Sequence, residues 1–171
     1  MLAQAIKQFV KEGDFVLASG RKSKYYIDMR HCLLSSGLIL RHVGAEMSKK
    51  MQEHKVSIIG GPANAGIIVV TATLMNNYGA GFFVRKEMKE HGLKDLISGD
   101  LKDGDKYMMV DDVGTTGGSM WRAIQIVQET YPRCECVLAG CVLDREEGAS
   151  EFFASKNVPF FSLTTLTEVL R

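Results

Sequence analysis

The sequence predicts an α/β fold in which a mainly parallel central sheet is flanked by helices, and three observations carry that expectation. From Val56 to Leu143, short apolar runs alternate with longer stretches of helical periodicity, the rhythm of βαβ units. The 171 residues fit one domain, residues 1–171, with little room for a second. Hydrophobic residues make up 46% and charged residues 24%, which excludes a disordered or fibrous chain.

The elements follow in order. Leu2, Ile6, Phe9 and Val10 recur at helical spacing before Gly13, predicting a short amphipathic helix ended by a glycine. Phe15–Ala18 and Tyr25–Asp28 read as two strands around the polar turn Ser19–Ser23, a small hairpin. Ile39, Val43, Met47 and Met51 lie four apart on one helix face, and Val56–Gly60 follows as a buried strand. A helix over Gly66–Asn77, strands over Gly81–Val84 and Tyr107–Val110, a helix over Thr116–Tyr131 and a strand over Cys136–Leu143 continue the alternation. Pro159–Leu163 adds a strand and Leu166–Leu170 a terminal helical turn. Arg85–Lys106, polar and long, separates two strands and asks for a functional explanation.

Charge and composition narrow the function. Lys and Arg total 21 against 20 Asp and Glu, a net charge of +1, so there is no broad electrostatic case for nucleic acid or an anionic membrane, and any anion site is local. The longest apolar stretch, Gly66–Met75, falls short of the roughly 20 residues that cross a bilayer. Met1–Lys11 lacks the pattern of an export leader, so a cytoplasmic location is expected. Cys32, Cys134, Cys136 and Cys141 show no metal-binding spacing and read as reduced, buried thiols.

The most informative stretch is Lys106 to Ser119. An apolar strand runs into Asp111-Asp112-Val113-Gly114-Thr115-Thr116-Gly117-Gly118-Ser119, then into the helical spacing of Trp121, Ile124, Val127 and Tyr131. A small-residue loop at the carboxyl end of a parallel strand offers backbone N–H groups at a helix N-terminus, where phosphate is favoured. Thr115, Thr116 and Ser119 add hydroxyls, and the two acids suit a ribose diol or the water shell of a divalent cation. A plain helix cap made by Asp112 or Thr115 is the alternative. Gly61-Pro62-Ala63-Asn64-Ala65-Gly66 has P-loop glycine spacing, but Ile67 stands where that motif needs lysine; Gly79-Ala80-Gly81 starts like a dinucleotide fingerprint, but Val84 replaces its third glycine. Over Arg85–Lys106, six basic and six acidic residues read, on charge alone, as a solvated loop.

The strand, paired acids, threonines and glycines together closely resemble the phosphoribosyl-diphosphate motif of type I phosphoribosyltransferases. Arg85-Lys86-Glu87-Met88-Lys89-Glu90-His91-Gly92 resembles the mobile catalytic loop of the orotate phosphoribosyltransferases in particular. Phe15 to Asp28 is similar to that family's N-terminal base-recognition segment, and Val142-Leu143-Asp144-Arg145-Glu146-Glu147-Gly148 to its Asp-Arg segment. Ala18 and Asn64-Ala65 depart from the pattern, since many members carry lysines there.

The resemblance implies a type I phosphoribosyltransferase fold, with residues up to about 35 forming a small hood over the base. It implies transfer of the phosphoribosyl group of 5-phosphoribosyl 1-diphosphate to N1 of orotate, giving orotidine 5′-monophosphate in pyrimidine biosynthesis. Mg²⁺ is implied as cofactor, bound through substrate oxygens and water rather than directly, and a homodimer with shared active sites as the working form. Val113, Gly114 and Thr115 to Ser119, including Gly117 and Gly118, would bind the sugar donor with its 5-phosphate on the loop, while the carboxylates Asp111 and Asp112 would orient the ribose hydroxyls and count among the catalytic residues. Lys86 would contact diphosphate in its own subunit; Arg85, Lys89 and His91 would reach across the dimer, with Lys89 and His91 as catalytic candidates. Tyr26, Thr115 and Arg145 would bind orotate. Transfer to another base, and a non-catalytic sensor of the same sugar donor, stand as alternatives.

Overall fold

The molecule is organised around one strand, β6 (Lys106–Gly114), which runs parallel to β3 (Ile58–Pro62) on one side and to β7 (Glu135–Asp144) on the other. β4 (Ala80–Val84) pairs parallel with β3, β8 (Phe160–Thr165) pairs parallel with β7, and short β5 (Ile97–Gly99) closes the β4 edge antiparallel. The strand order is β5-β4-β3-β6-β7-β8. This computed structural model describes residues 2–16, 20, 22–76, 79–85 and 96–171.

β6 is apolar because both of its faces are covered. Met108 and Val110 point into one cluster with Val43, Met47 and Met51 of α3 (Gly37–Glu53) and Val69 and Val70 of α4 (Ala65–Leu74). Tyr107 and Met109 alternate into the other, with Met120, Ile124 and Val127 of α5 (Gly118–Thr130) and Phe153 of α6 (Ala149–Ser155). The two βαβ crossovers therefore depart from neighbouring strands in opposite directions: β3 leads through α4 to β4, and β6 leads through α5 to β7. That reversal opens a crevice beyond the carboxyl ends of β3 and β6.

Before the sheet, α1 (Leu2–Lys7) is followed by an antiparallel hairpin of β1 (Val10–Val16) and β2 (Lys22–Ile27), and by α2 (Met29–Ser35). α7 (Leu166–Leu170) ends the chain in a capping box between Thr165 and Glu168. Among the described residues no helix is long and apolar enough to cross a membrane. All four cysteines are free and buried.

Several expectations change. The first helix stops at Lys7, and Val10 opens β1 instead of closing a helix; Gly13 lies inside that strand, where the register shifts between Glu12 and Phe15. Alternation in a half-exposed ribbon, not helical period, governs this stretch. Asp28 is no strand residue but the N-cap of α2, accepting from the His31 amide at 3.0 Å. β6 continues through Asp111 and Asp112 to Gly114, so the loop is only Thr115 to Gly117 and α5 starts two residues later than its periodicity suggests. α2, β5 and α6 were not anticipated: each is seven residues or fewer, too short for a periodic signal.

Candidate active site

A cleft of about 490 Å³ occupies the crevice at the β3–β6 switch. Its floor is the turn from β3 into α4, Pro62 to Ala65, beside Asp111 and Asp112 of β6. Thr115, Thr116 and Ser119 line one wall, and Tyr26 of the hood with Arg145 at the end of β7 lines the other. A hollow of about 550 Å³ between α1, α3 and α7 is larger, but its Glu168 is already committed to the α7 cap and to the Thr164 hydroxyl.

The glycines flanking the cleft have separate packing reasons. Gly61 and Gly66 face each other and the Val110 carbonyl so closely that a Cβ on either would stand about 3 Å from these atoms. That contact seats the β3–α4 turn against β6. Gly117, the N-cap of α5, has φ +81° and lies against Phe152 and Phe153 of α6. Among the described residues no side chain caps α5. The cap alternative for Asp112 and Thr115 therefore fails: Asp112 Oδ1 accepts from the Val113 amide at 2.8 Å, and Asp111 Oδ1 from the Asp112 amide at 2.9 Å.

Asp111 is buried at the base of the cleft, and Ser119 Oγ donates to its Oδ2 at 2.9 Å. Burial, then the charge of Asp112, pushes its pKa up to about 8. Burial also raises Asp112, while its bonds to Asp111 and to the Val113 amide, and the charge of Arg30, pull it back. The pair thus resists carrying two negative charges in the empty cleft. Arg30 lines the cleft and is the site residue that sequence reading passed over. Its only local signal is its place two residues after Asp28, the N-cap that starts α2 beside the hood.

Arg145 is 6% exposed rather than a surface charge. Its Nε donates to Glu147 Oε1 at 2.7 Å, and its Nη2 donates to Ser23 Oγ at 2.9 Å and to the Tyr25 carbonyl at 3.3 Å. Its ion pair with Glu147 is largely shielded from water, and Arg145 itself borders the cleft. Tyr26 is 36% exposed, with its ring 5.6 Å from that of Phe15. Arg85 sits at the end of β4 with its guanidinium over the Phe83 ring, lining a neighbouring hollow of about 350 Å³ with Arg122 and Ser119. Lys86, Lys89 and His91 lie outside the described residues.

A parallel sheet with an acid pair and a small-residue loop at its switch point, under a two-stranded hood, defines a type I phosphoribosyltransferase fold. Comparison with known proteins narrows this. The chain is 40% identical over 169 residues to an orotate phosphoribosyltransferase of Rhodopseudomonas palustris, covering 92% of this chain and 88% of that one. It is 35% identical over 159 residues to an orotate phosphoribosyltransferase of Methanosphaera stadtmanae, covering 93% and 88%. The Mycobacterium tuberculosis orotate phosphoribosyltransferase, solved in complex with 5-phospho-alpha-D-ribosyl 1-diphosphate, superposes with a TM-score of 0.80 at 27% identity, covering 99% of this chain and 97% of that one. No protein-family model matches the sequence. The chain belongs to the orotate phosphoribosyltransferase family.

Proposed function

We infer that the chain transfers the 5-phosphoribosyl group of 5-phosphoribosyl 1-diphosphate to N1 of orotate, forming orotidine 5′-monophosphate and diphosphate, a step of pyrimidine nucleotide synthesis. One observation carries this reading: the buried acid pair, the uncapped loop before α5, and Arg145 with Tyr26 all border a single cleft. The loop and the first turn of α5, Thr115 to Ser119, hold the 5-phosphate on their amides and hydroxyls. Asp111 and Asp112 accept the two ribose hydroxyls. Tyr26 lies beside the pyrimidine, and Arg145, with Thr115, takes its polar edge.

As the bond from C1 to diphosphate breaks, positive charge gathers on the ribose and negative charge on the leaving group. The raised pKa of the acid pair then becomes useful. Carboxylate charge that is costly to hold in the empty cleft is offset as positive charge develops on the ribose beside it, so the ionised pair stabilises the transition state more than the ground state. Lys86 meets the diphosphate in its own subunit. Arg85, Lys89 and His91 act across a homodimer, and the position of Arg85 off the cleft wall supports that division. Lys89 or His91 delivers a proton or a fixed charge to the departing oxygen.

Among the described residues no group of three or more His, Cys, Asp or Glu could cage a metal ion. Asp111 and Asp112 are the residues that would face a Mg²⁺ ion brought with the substrate, through its water shell. When bound, the ion neutralises charge on the leaving group. We place the reaction in the cytoplasm.

Purified protein supplied with the sugar donor and Mg²⁺ will consume orotate and release diphosphate in equal amounts, and will leave uracil and purine bases untouched. No orotate loss under these conditions would end this reading. Lys89→Ala will lower turnover at saturating substrate; unchanged turnover would remove the loop from the mechanism.

A further inference from the structure

Five N–H donors surround the Arg145 guanidinium, and the fold spends three of them within the chain. The Nε donor goes to Glu147, two residues away, and both Nη2 donors go to the hood, at Ser23 and Tyr25. Among the described residues nothing accepts from Nη1. The side chain borders the cleft, so Nη1 is what the base can meet. This differs from the paired-donor grip that an arginine facing a carboxylate suggests, because both edges that include Nη2, and the edge that includes Nε, are already in use.

We propose that Glu147 is a positioning residue for base selection: its carboxylate holds the Nε edge of Arg145, so that Nη2 ties down the hood and Nη1 alone reads the base. The pair is shielded from water, with the Arg145 side chain 5% and the Glu147 side chain 16% exposed, so it escapes the screening that makes surface ion pairs weak. The turn that carries Glu147 is itself pinned. The Glu146 amide donates to Asp144 Oδ1 at 2.9 Å, and Glu146 Oε2 accepts from the Thr167 amide at the start of α7 at 2.8 Å. A carboxylate fixed in this way sets the rotation of the guanidinium. The guanidinium in turn joins β2 to β7 across more than a hundred residues of chain. Hood placement and base choice are then one coupled property rather than two.

The inference rests on Arg145 facing orotate, and its test separates the two claims. Glu147→Gln keeps the volume and removes the charge. It will raise the KM for orotate about tenfold or more, as loss of a charge-assisted hydrogen bond does, and narrow the preference for orotate over uracil. The KM for the sugar donor and turnover at saturating orotate will stay within about twofold. A merely structural role would lower the melting temperature without this split. Ser23→Ala will shift the orotate KM in the same direction by less. Independently of any activity, hydrogen exchange of the β2 amides will be faster in Glu147→Gln than in the parent chain. If the parent converts orotate while Glu147→Gln shows an unchanged orotate KM and unchanged β2 exchange, the positioning role is refuted and the function stands. If the parent ignores orotate, the function falls, and the exchange measurement alone decides whether Glu147 anchors the hood through Arg145.

Discussion

β6 is buried along most of its length and its loop is half-buried, whereas the hood across the cleft is exposed along most of β1 and at alternate residues of β2. The two halves line the same cleft but are held by different forces. The acid pair sits on a central strand with packed side chains on either face, and the loop turns on Gly117 against two phenylalanines. The hood relies on the packing of Ile27 and on a few directional bonds from Arg145. Under the proposed function, the sugar phosphate would be gripped by the buried half, and the base, which distinguishes one reaction from another, would be read by the half that a few substitutions can shift.

The largest effect that would sharpen this contrast is expected at Asp111. Asp111→Asn will cut turnover by about a hundredfold yet stabilise the protein. Its amide can still accept from the Asp112 N–H and can donate to Ser119. The sign follows from linkage. The folded pKa of Asp111 lies above its unfolded value near 4, so the folded chain binds more protons between about 4 and about 8 and loses stability as pH rises through that window. The melting advantage of the variant will therefore grow from about pH 5 to about pH 8; a flat difference would show that Asp111 is ionised without penalty.

Gly117→Ala comes next. A left-handed φ costs an alanine about 1–2 kcal/mol, and its Cβ would stand 2.9 Å from the Phe153 ring, so thermal melts will shift down and the KM for the sugar donor will rise. On the other side of the cleft, Tyr26→Ala will raise the KM for orotate several-fold and leave stability within about 0.5 kcal/mol, because the side chain is substantially exposed. A drop in stability like that of Gly117→Ala would erase the distinction between the halves. The smallest effect is a control in the core. The Tyr107 hydroxyl is buried with no hydrogen-bond partner among the described residues, so Tyr107→Phe will gain about 1 kcal/mol in denaturant unfolding with kinetics unchanged.

Much of this architecture is legible before folding is considered. Alternation of apolar runs with helical periods locates β3, α4, β4, β6, α5, β7 and β8 because each is decided by which faces are buried, and burial writes a local period into the chain. The run from Asp111 to Ser119 likewise marks itself by its residue types as an acid pair leading into a small-residue loop before a helix. The hood is read less well. Val10 has an equally good place in a helical pattern, and only pairing with Ile27 makes it the start of a strand.

Residue types, spacing and period were enough to state the fold class and to place the acid pair before a small-residue loop. Charge state and partnership were not. Asp111 is hard to ionise because β6 carries it to the bottom of a cleft beside Asp112, and Arg145 is a buried link rather than a surface charge because Ser23, 122 residues earlier, comes to rest against it. Such properties depend on distance and on exclusion of water, and neither exists along an unfolded chain until strands far apart in sequence lie side by side.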